Sequence, residues 1–316
     1  MTGPLRPPGA FTLGAFAGAV LLGGGNFVAV RFSNGELPPF WGAGLRFSLA
    51  AIVFVLIALV LGLERPRGRQ LVLTGLYGLF TVTLSYALMY WALVRVSAGM
   101  TAVLLAIVPL VAPLLAWAQG LERLNRRTVI GALLALGGIV WMTVGPDGLA
   151  LPLGGLLAVL AASLTIGQSV IFGKRVSGNH PVMTNAVGMS LGAPLLLLLS
   201  GLAGEQWAVP RQPEVVLSVL YLVLLGSVGM FVLMLLVVRR WSVAVTSYTF
   251  VLFPVVTMLV EAWLLDEPLT GRGITGALVV MTGVWLGALK SSDPARPGSS
   301  SPVPSPQMTS RNSPSM

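Results

Sequence analysis

SAGMTAVLLAIVPLVAPLLAWAQGLERLNRRTVIGALLALGG, residues 97–138, and SVAVTSYTFVLFPVVTMLVEAWLLDEPLTGRGITGALVVMTG, residues 242–283, align without a gap at a constant offset of 145. Extended to 97–144 and 242–289, the pair has 12 identities in 48 positions. Among them are Pro109 on Pro254, Glu122 on Glu267, Arg127 on Arg272, Gly131 on Gly276 and Gly138 on Gly283. Apolar composition alone readily matches Leu to Leu and does not readily match Pro, Glu, Arg and Gly together. The chain therefore reads as two copies of one unit.

What each copy is made of follows from composition. Hydrophobic residues are 55% of the chain, charged residues are 9%, and mean hydropathy is +0.89. A soluble domain carries about 25% charged residues, because its surface faces water. Here apolar stretches of the length that crosses a bilayer, about 20 residues, recur along the chain and are apolar all round. They fall at about 11–30, 39–62, 71–93, 98–119, 128–145, 152–173, 182–203, 215–238, 243–265 and 273–289. The expected fold is an all-α membrane protein of ten transmembrane helices. Residues 11–145 and 152–289 form the two five-helix repeats, after a cytoplasmic segment 1–10 and before a disordered Ser/Pro-rich tail, 291–316.

Five is odd, so the second repeat enters the membrane the opposite way to the first. Charge agrees. One side holds Arg6; Arg65, Arg67 and Arg69; Arg123, Arg126 and Arg127; Lys174 and Arg175; Arg239 and Arg240; and Lys290, Arg296 and Arg311, which makes 14. The other holds Arg31, Arg95, Arg211 and Arg272, which makes four, and Arg46 lies within a span. Basic loops stay cytoplasmic, so both termini are expected inside a cell (inner) membrane. Inverted repeats place a substrate site near the midplane and let the fold alternate between two states.

These stretches resemble the ten-helix EamA-type members of the drug/metabolite transporter superfamily. The resemblance runs through Ala92–Gly99, Pro109, the run from Glu122 to Gly138, Pro254, and Asp266–Thr270 with Gly276–Leu278 and Gly283; Leu45–Phe47 also looks like the family pattern. It implies a secondary active transporter, most often an exporter of amino acids or other small metabolites, with proton exchange as the driving force. A facilitator or importer on the same fold stays open, as does a non-transporting assembly or lipid-modifying protein. The latter is disfavoured by the absence of any nucleophile–base or metal constellation, so the chain is not expected to be an enzyme. No cofactor, metal or nucleic acid is expected as a partner; a small-molecule substrate, the bilayer and protons are.

Candidate site residues are the polar ones that apolar spans tolerate at a cost. Arg46 and Glu261 are the ionisable side chains, Tyr aside, placed well inside spans, where a charge costs at least about 2.5–3.5 kcal/mol. Either they pair, or Glu261 snorkels outward, or Glu261 is a proton-coupling carboxylate and Arg46 holds a substrate carboxylate. Asn26, Tyr86, Tyr90, Trp91, Gln168, Asn185 and Tyr248 are expected to face the interior, where amides and phenols find partners. With Arg46, all of these except Asn185 form the expected substrate-binding set. Trp91 has interfacial anchoring as its alternative. Pro109 and Pro254 are expected as paired gating kinks, since each removes an amide donor. Gly14/Gly18, Gly188/Gly192 and Gly283/Gly287 allow close helix contact, either within the chain or in a homodimer. His180, the only histidine, has no expected role.

Overall fold

The computed structural model describes residues 10–289 apart from 122, 146–147, 150, 177, 231, 235–236 and 238–242. The tail 291–316 and residues 1–9 lie outside the described residues. Apart from a two-residue antiparallel pairing of Val144–Gly145 with Gly148–Leu149, the ordered elements are helical. In chain order they are α1 (Ala10–Ser33), α2 (Pro39–Val60), α3 (Arg69–Leu93), α4 (Ala98–Ala118), α5 (Arg126–Thr143), α6 (Leu153–Arg175), α7 (Pro181–Leu202), α8 (Pro213–Met234), α9 (Val243–Leu264) and α10 (Gly271–Val284, continued by a π turn at Trp285–Leu289). Eight of them, α1 to α8, are long and apolar enough to cross a membrane, and Val251–Leu264 of α9 is a shorter apolar helix.

Local chemistry sets the helix starts. Pro39, Pro181 and Pro213 stand in first turns, where a missing amide proton costs nothing. The side chains of Ser97, Asn125 and Thr270 accept the orphan amides of Met100, Arg127 and Gly273 at the starts of α4, α5 and α10. His180 does the same for α7, accepting from the Val182 amide through Nδ1 at 3.3 Å, so it has a local structural role.

Packing relates the two halves. Helix α2 lies against α7, α5 against α10 and α4 against α9, while α1 packs on α8 and α9, and α6 on α3 and α4. Exchanging α1–α5 with α6–α10 maps this set of contacts onto itself. Close approach depends on glycine. A Cβ at Gly78 of α3 would lie 2.4 Å from the carbonyl oxygen of Gly188 in α7, with the Gly188 Cα at 2.6 Å. Gly188, Gly192, Gly283 and Gly287 all face neighbouring helices of the same chain, which accounts for two of the three small-residue spacings.

Both halves carry a π turn at the corresponding place, Leu79–Leu84 in α3 and Tyr221–Gly229 in α8. Each is completed by a serine five residues after its acceptor. Ser85 Oγ donates to the Phe80 carbonyl at 2.5 Å and Ser227 Oγ to the Leu222 carbonyl at 2.9 Å. Single π turns within α-helices mark functional positions often enough to point toward this layer of the bundle.

The expected pair of proline kinks is unequal. Around Pro109 the helix is interrupted: α-helical geometry holds over Ala98–Leu105, breaks at Ala106–Ile107 and resumes over Val108–Ala118. Around Pro254, α9 runs through from Val243 to Leu264. In α9 the turn beside the proline is tied, since Thr257 Oγ1 lies 2.8 Å from both the Phe253 carbonyl and the Gly24 carbonyl of α1. The corresponding position in α4 is Ala112, which has no hydroxyl.

Candidate functional site: a central cavity and a buried guanidinium

A cavity of about 380 Å³ lies between α1, α3, α4, α6, α8 and α9. Its walls are mostly apolar, and its polar lining includes Asn26, Tyr77, Thr81, Ser85, Tyr86 and Ser169. Toward the Arg31 end of the bundle it is closed by fully buried residues, Val30, Leu93, Ala98 and Thr101 among them. Toward the Arg175 end it reaches Tyr77, Val170 and Gly173, of which Val170 is 41% exposed.

Behind one wall sits Arg46, on α2 and 1% exposed. Its Nε donates to Ser227 Oγ at 3.1 Å and Nη2 to the Gly226 carbonyl at 3.3 Å, both on the π turn of α8. The same carbonyl accepts Asn26 Nδ2 at 3.1 Å. A side chain at Gly226 would collide with Asn26, its Cβ falling 2.0 Å from Oδ1. Two aromatic rings complete the shell, with the guanidinium carbon 5.0 Å from the Phe47 centroid and 5.2 Å from that of Tyr86. Cation–π contact of this kind contributes up to about 2 kcal/mol when desolvated.

That shell does not neutralise the charge. Among the described residues the ion pairs are those of Arg31 with Glu261 and with Glu267, and neither reaches Arg46. Among the buried polar atoms around it, Asn26 Oδ1 has no hydrogen-bond partner, and Arg46 Nη1 and Tyr90 Oη have none but each other. The hydroxyl of Thr81, on the cavity wall, has no partner but Tyr77. A buried group left unpartnered costs about 1–3 kcal/mol, and more when charged. The arrangement fits an anionic or zwitterionic guest whose carboxylate would supply the missing counter-charge.

The expected site residues separate into groups. Asn26 and Tyr86 line the cavity. Arg46 and Tyr90 stand behind it, Tyr90 fully buried with its ring 6.4 Å from that of Tyr86. Trp91 lies at the end of the bundle, covered by the Arg95 guanidinium at 3.6 Å and packed on Gly154. Gln168 accepts from Gln119 Nε2 at 2.7 Å, away from the cavity, and Asn185 donates to the Pro181 carbonyl of its own helix at 3.0 Å. Pro254 faces a separate apolar groove with Met258 and Met281. The side chain of Tyr248 lies outside the described residues.

Two expectations are corrected. Arg46 and Glu261 do not pair, and Glu261 does not snorkel. Glu261 is 4% exposed and accepts the backbone amides of Ala98 and Gly99, each at 2.6 Å, and Arg31 Nη1 at 2.8 Å. Arg31 itself belongs to the last turn of α1 and not to a loop. It was hidden in the sequence by its place next to the span end. Thr81, Ser85 and Tyr77 also escaped the sequence reading, because single hydroxyls in an apolar run look alike until the fold orients them.

The EamA-like transporter family matches residues 10–144 and again 153–288. The "Probable amino-acid metabolite efflux pump" of Salmonella typhimurium is 30% identical over 284 residues, covering 84% of this chain and 91% of its own. The "Uncharacterized inner membrane transporter YedA" of Escherichia coli K12 is 28% identical over 287 residues, 90% of this chain and 93% of its own. The "Probable terminal-alkyne amino-acid exporter" of Streptantibioticus cattleyicolor is 27% identical, over 82% of this chain and 87% of its own. A solved crystal structure superposes with a TM-score of 0.63 at 20% identity, over 90% of this chain and 100% of its own, a likeness in fold alone.

Proposed function

This chain belongs to the EamA-like transporter family, a multi-pass transporter of the inner membrane, and from that premise we propose that it exports carboxylate-bearing amino acids or related small metabolites by alternating access. In this reading the membrane is crossed ten times by two inverted five-helix repeats, residues 11–145 and 152–289, with both termini cytoplasmic. The distribution of Lys and Arg, 14 against four, supports that orientation. The way exchange of the halves maps the helix contacts onto themselves supports the two repeats.

The observation that carries the substrate class is Arg46. A guanidinium held out of water, with Tyr90 and, among the described residues, no carboxylate beside it, lies behind the wall of a cavity that contains Asn26 and Tyr86. The apolar lining, with Phe27, Met89, Met230 and Phe253, suits a guest with an apolar body. Asn26 Oδ1 and the face of Tyr86 are acceptors for an ammonium. Names of relatives that mention amino-acid efflux agree with this. Proton coupling is part of the proposal, with Glu261 as the buried carboxylate to be tested.

The experiment is efflux from proteoliposomes loaded with radiolabelled L-amino acids, with and without an imposed pH gradient. Carboxylate-dependent flux that is lost in Arg46→Gln supports the reading. Equal transport of an amino acid and its amide derivative would refute the role of Arg46. Flux indifferent both to the gradient and to Glu261→Gln would remove proton coupling through that residue.

A further inference from the structure

The first half of α4, Ala98–Leu105, is a separate short helix held at its start by a residue from the other half of the chain. Ser97 Oγ accepts the Met100 amide, and the Ala98 and Gly99 amides both donate to the Glu261 carboxylate at 2.6 Å. The carboxylate also receives Arg31 Nη1 at 2.8 Å, and the same nitrogen reaches Glu267 at 3.0 Å. Charge-assisted bonds of this kind are about twice as strong as neutral ones, and the positive end of a helix adds to them. The fit is close: a Cβ on Gly99 would fall 2.9 Å from Glu261 Oε2 and 2.8 Å from Met258 Cγ.

The other end of this half-helix is the break at Ala106–Ile107, one residue and a peptide away from Pro109. Between latch and break, Ala102 and Leu105 line the cavity, while Ala98 and Thr101 are fully buried in the layer that closes it. The half-helix is thus a plug with a hinge at one end and an ionic fastening at the other. Among the described residues of the second half, two of these features differ. The position aligned with Glu261 is Ala116, and α9 has no break at Pro254.

We propose that Ala98–Leu105 is the outer gate of the transport cycle and that Glu261, held by Arg31, is the latch that keeps it shut. The proposal rests on the alternating-access reading above. It makes the two states unequal by construction: the latched protein faces inward, where the cavity reaches Tyr77, Val170 and Gly173. Opening outward requires the carboxylate to release two amides and a guanidinium together. Glu261 and Arg31 are positioning residues in this scheme and touch no substrate.

The chain contains no cysteine, so Ala102→Cys supplies a single thiol on the cavity side of the gate. Membrane vesicles of both orientations are exposed to a membrane-impermeant maleimide. With the latch intact, labelling is expected from the cytoplasmic side only. In Glu261→Gln or Arg31→Gln, labelling from the outer side is expected to rise about tenfold or more, as for a minor state raised from roughly 1% of the population. Gly99→Ala, which keeps both charges and crowds the carboxylate off the amides, is expected to act in the same direction. Each variant is first checked for a monodisperse elution and a cooperative melt, and any one that folds suffices. Outer labelling unchanged in the folded variants overturns the latch. Labelling from neither side, from both sides equally, or from the outer side alone in the latch-intact protein overturns the inward-facing, alternating-access reading instead.

Discussion

Asn26 and Arg46, on α1 and α2, donate to one acceptor, the carbonyl of Gly226, at 3.1 and 3.3 Å. That shared oxygen lies in the π turn of α8. Asn26 Oδ1 is left unpartnered, and Arg46 Nη1 has only the hydroxyl of Tyr90. Part of each group is used to hold the bundle together; Asn26 also lines the cavity, while Arg46 stays buried behind its wall.

Replacement of Arg46 separates stability from function. Arg46→Gln removes a buried charge with no counter-ion, so the melting temperature is expected to hold or to rise, as when buried charges give way to neutral groups. Flux of a carboxylate substrate is expected to fall by about tenfold or more, equivalent to roughly 1.4 kcal/mol of lost interaction. Thermal unfolding in detergent and proteoliposome flux on the same preparation check both halves of the statement.

Gly78→Ala places a methyl group against the backbone of Gly188, 2.4 Å from its carbonyl oxygen, with nothing flexible to move aside. A destabilisation of about 1–3 kcal/mol is expected from such overpacking. Gly137→Ala, where a Cβ meets nothing within 4 Å, is expected to be neutral or slightly stabilising, since alanine is the better helix former. The pair of melting temperatures tests whether α3 and α7 approach as closely as described.

Glu205 closes the start of α2 from the far half, accepting the amides of Phe40 at 3.1 Å and Trp41 at 2.8 Å. Trp41 stacks on Trp207 beside it, with centroids 4.9 Å apart. Glu205→Ala is expected to cost about 1 kcal/mol, the usual value of a lost cap. Substrate affinity should be unaffected. A lowered melting temperature with an unchanged KM is the expected result.

Tyr86 and Trp91 lie five residues apart and should behave differently. Tyr86 lines the cavity and covers Arg46, so Tyr86→Ala is expected to lower flux about tenfold, as loss of an aromatic contact of roughly 1–2 kcal/mol implies. Trp91 packs under Arg95 at the end of the bundle, so Trp91→Phe should leave flux within about twofold, the range of a replaced apolar contact. Initial rates of efflux distinguish the two.

Much of the architecture was legible without coordinates. Hydropathy over 20-residue windows is a property of the chain itself, because a bilayer leaves no water for exposed backbone. The repeat is equally local: Pro109 over Pro254 and Gly131 over Gly276 are visible at a fixed offset. The expense of Arg46 and Glu261 in apolar spans could also be read directly, as could the candidacy of Asn26 and Tyr86 for the interior.

Partners could not be read that way, because they come from residues far apart in sequence. Arg46 meets Ser227 across 181 positions, and Glu261 meets Arg31 across 230 and Ala98 across 163. Equal prolines did not make equal kinks, since the neighbouring Thr257 finds a carbonyl on α1 and Ala112 has no hydroxyl to offer. Composition and periodicity by themselves determined that this chain is a duplicated bundle of apolar helices with two costly charges inside it. Only the tertiary structure decided that one charge is left without a counter-ion behind the cavity wall while the other fastens a helix. Which charge is neutralised depends on the three-dimensional packing of α1, α2, α4, α8 and α9.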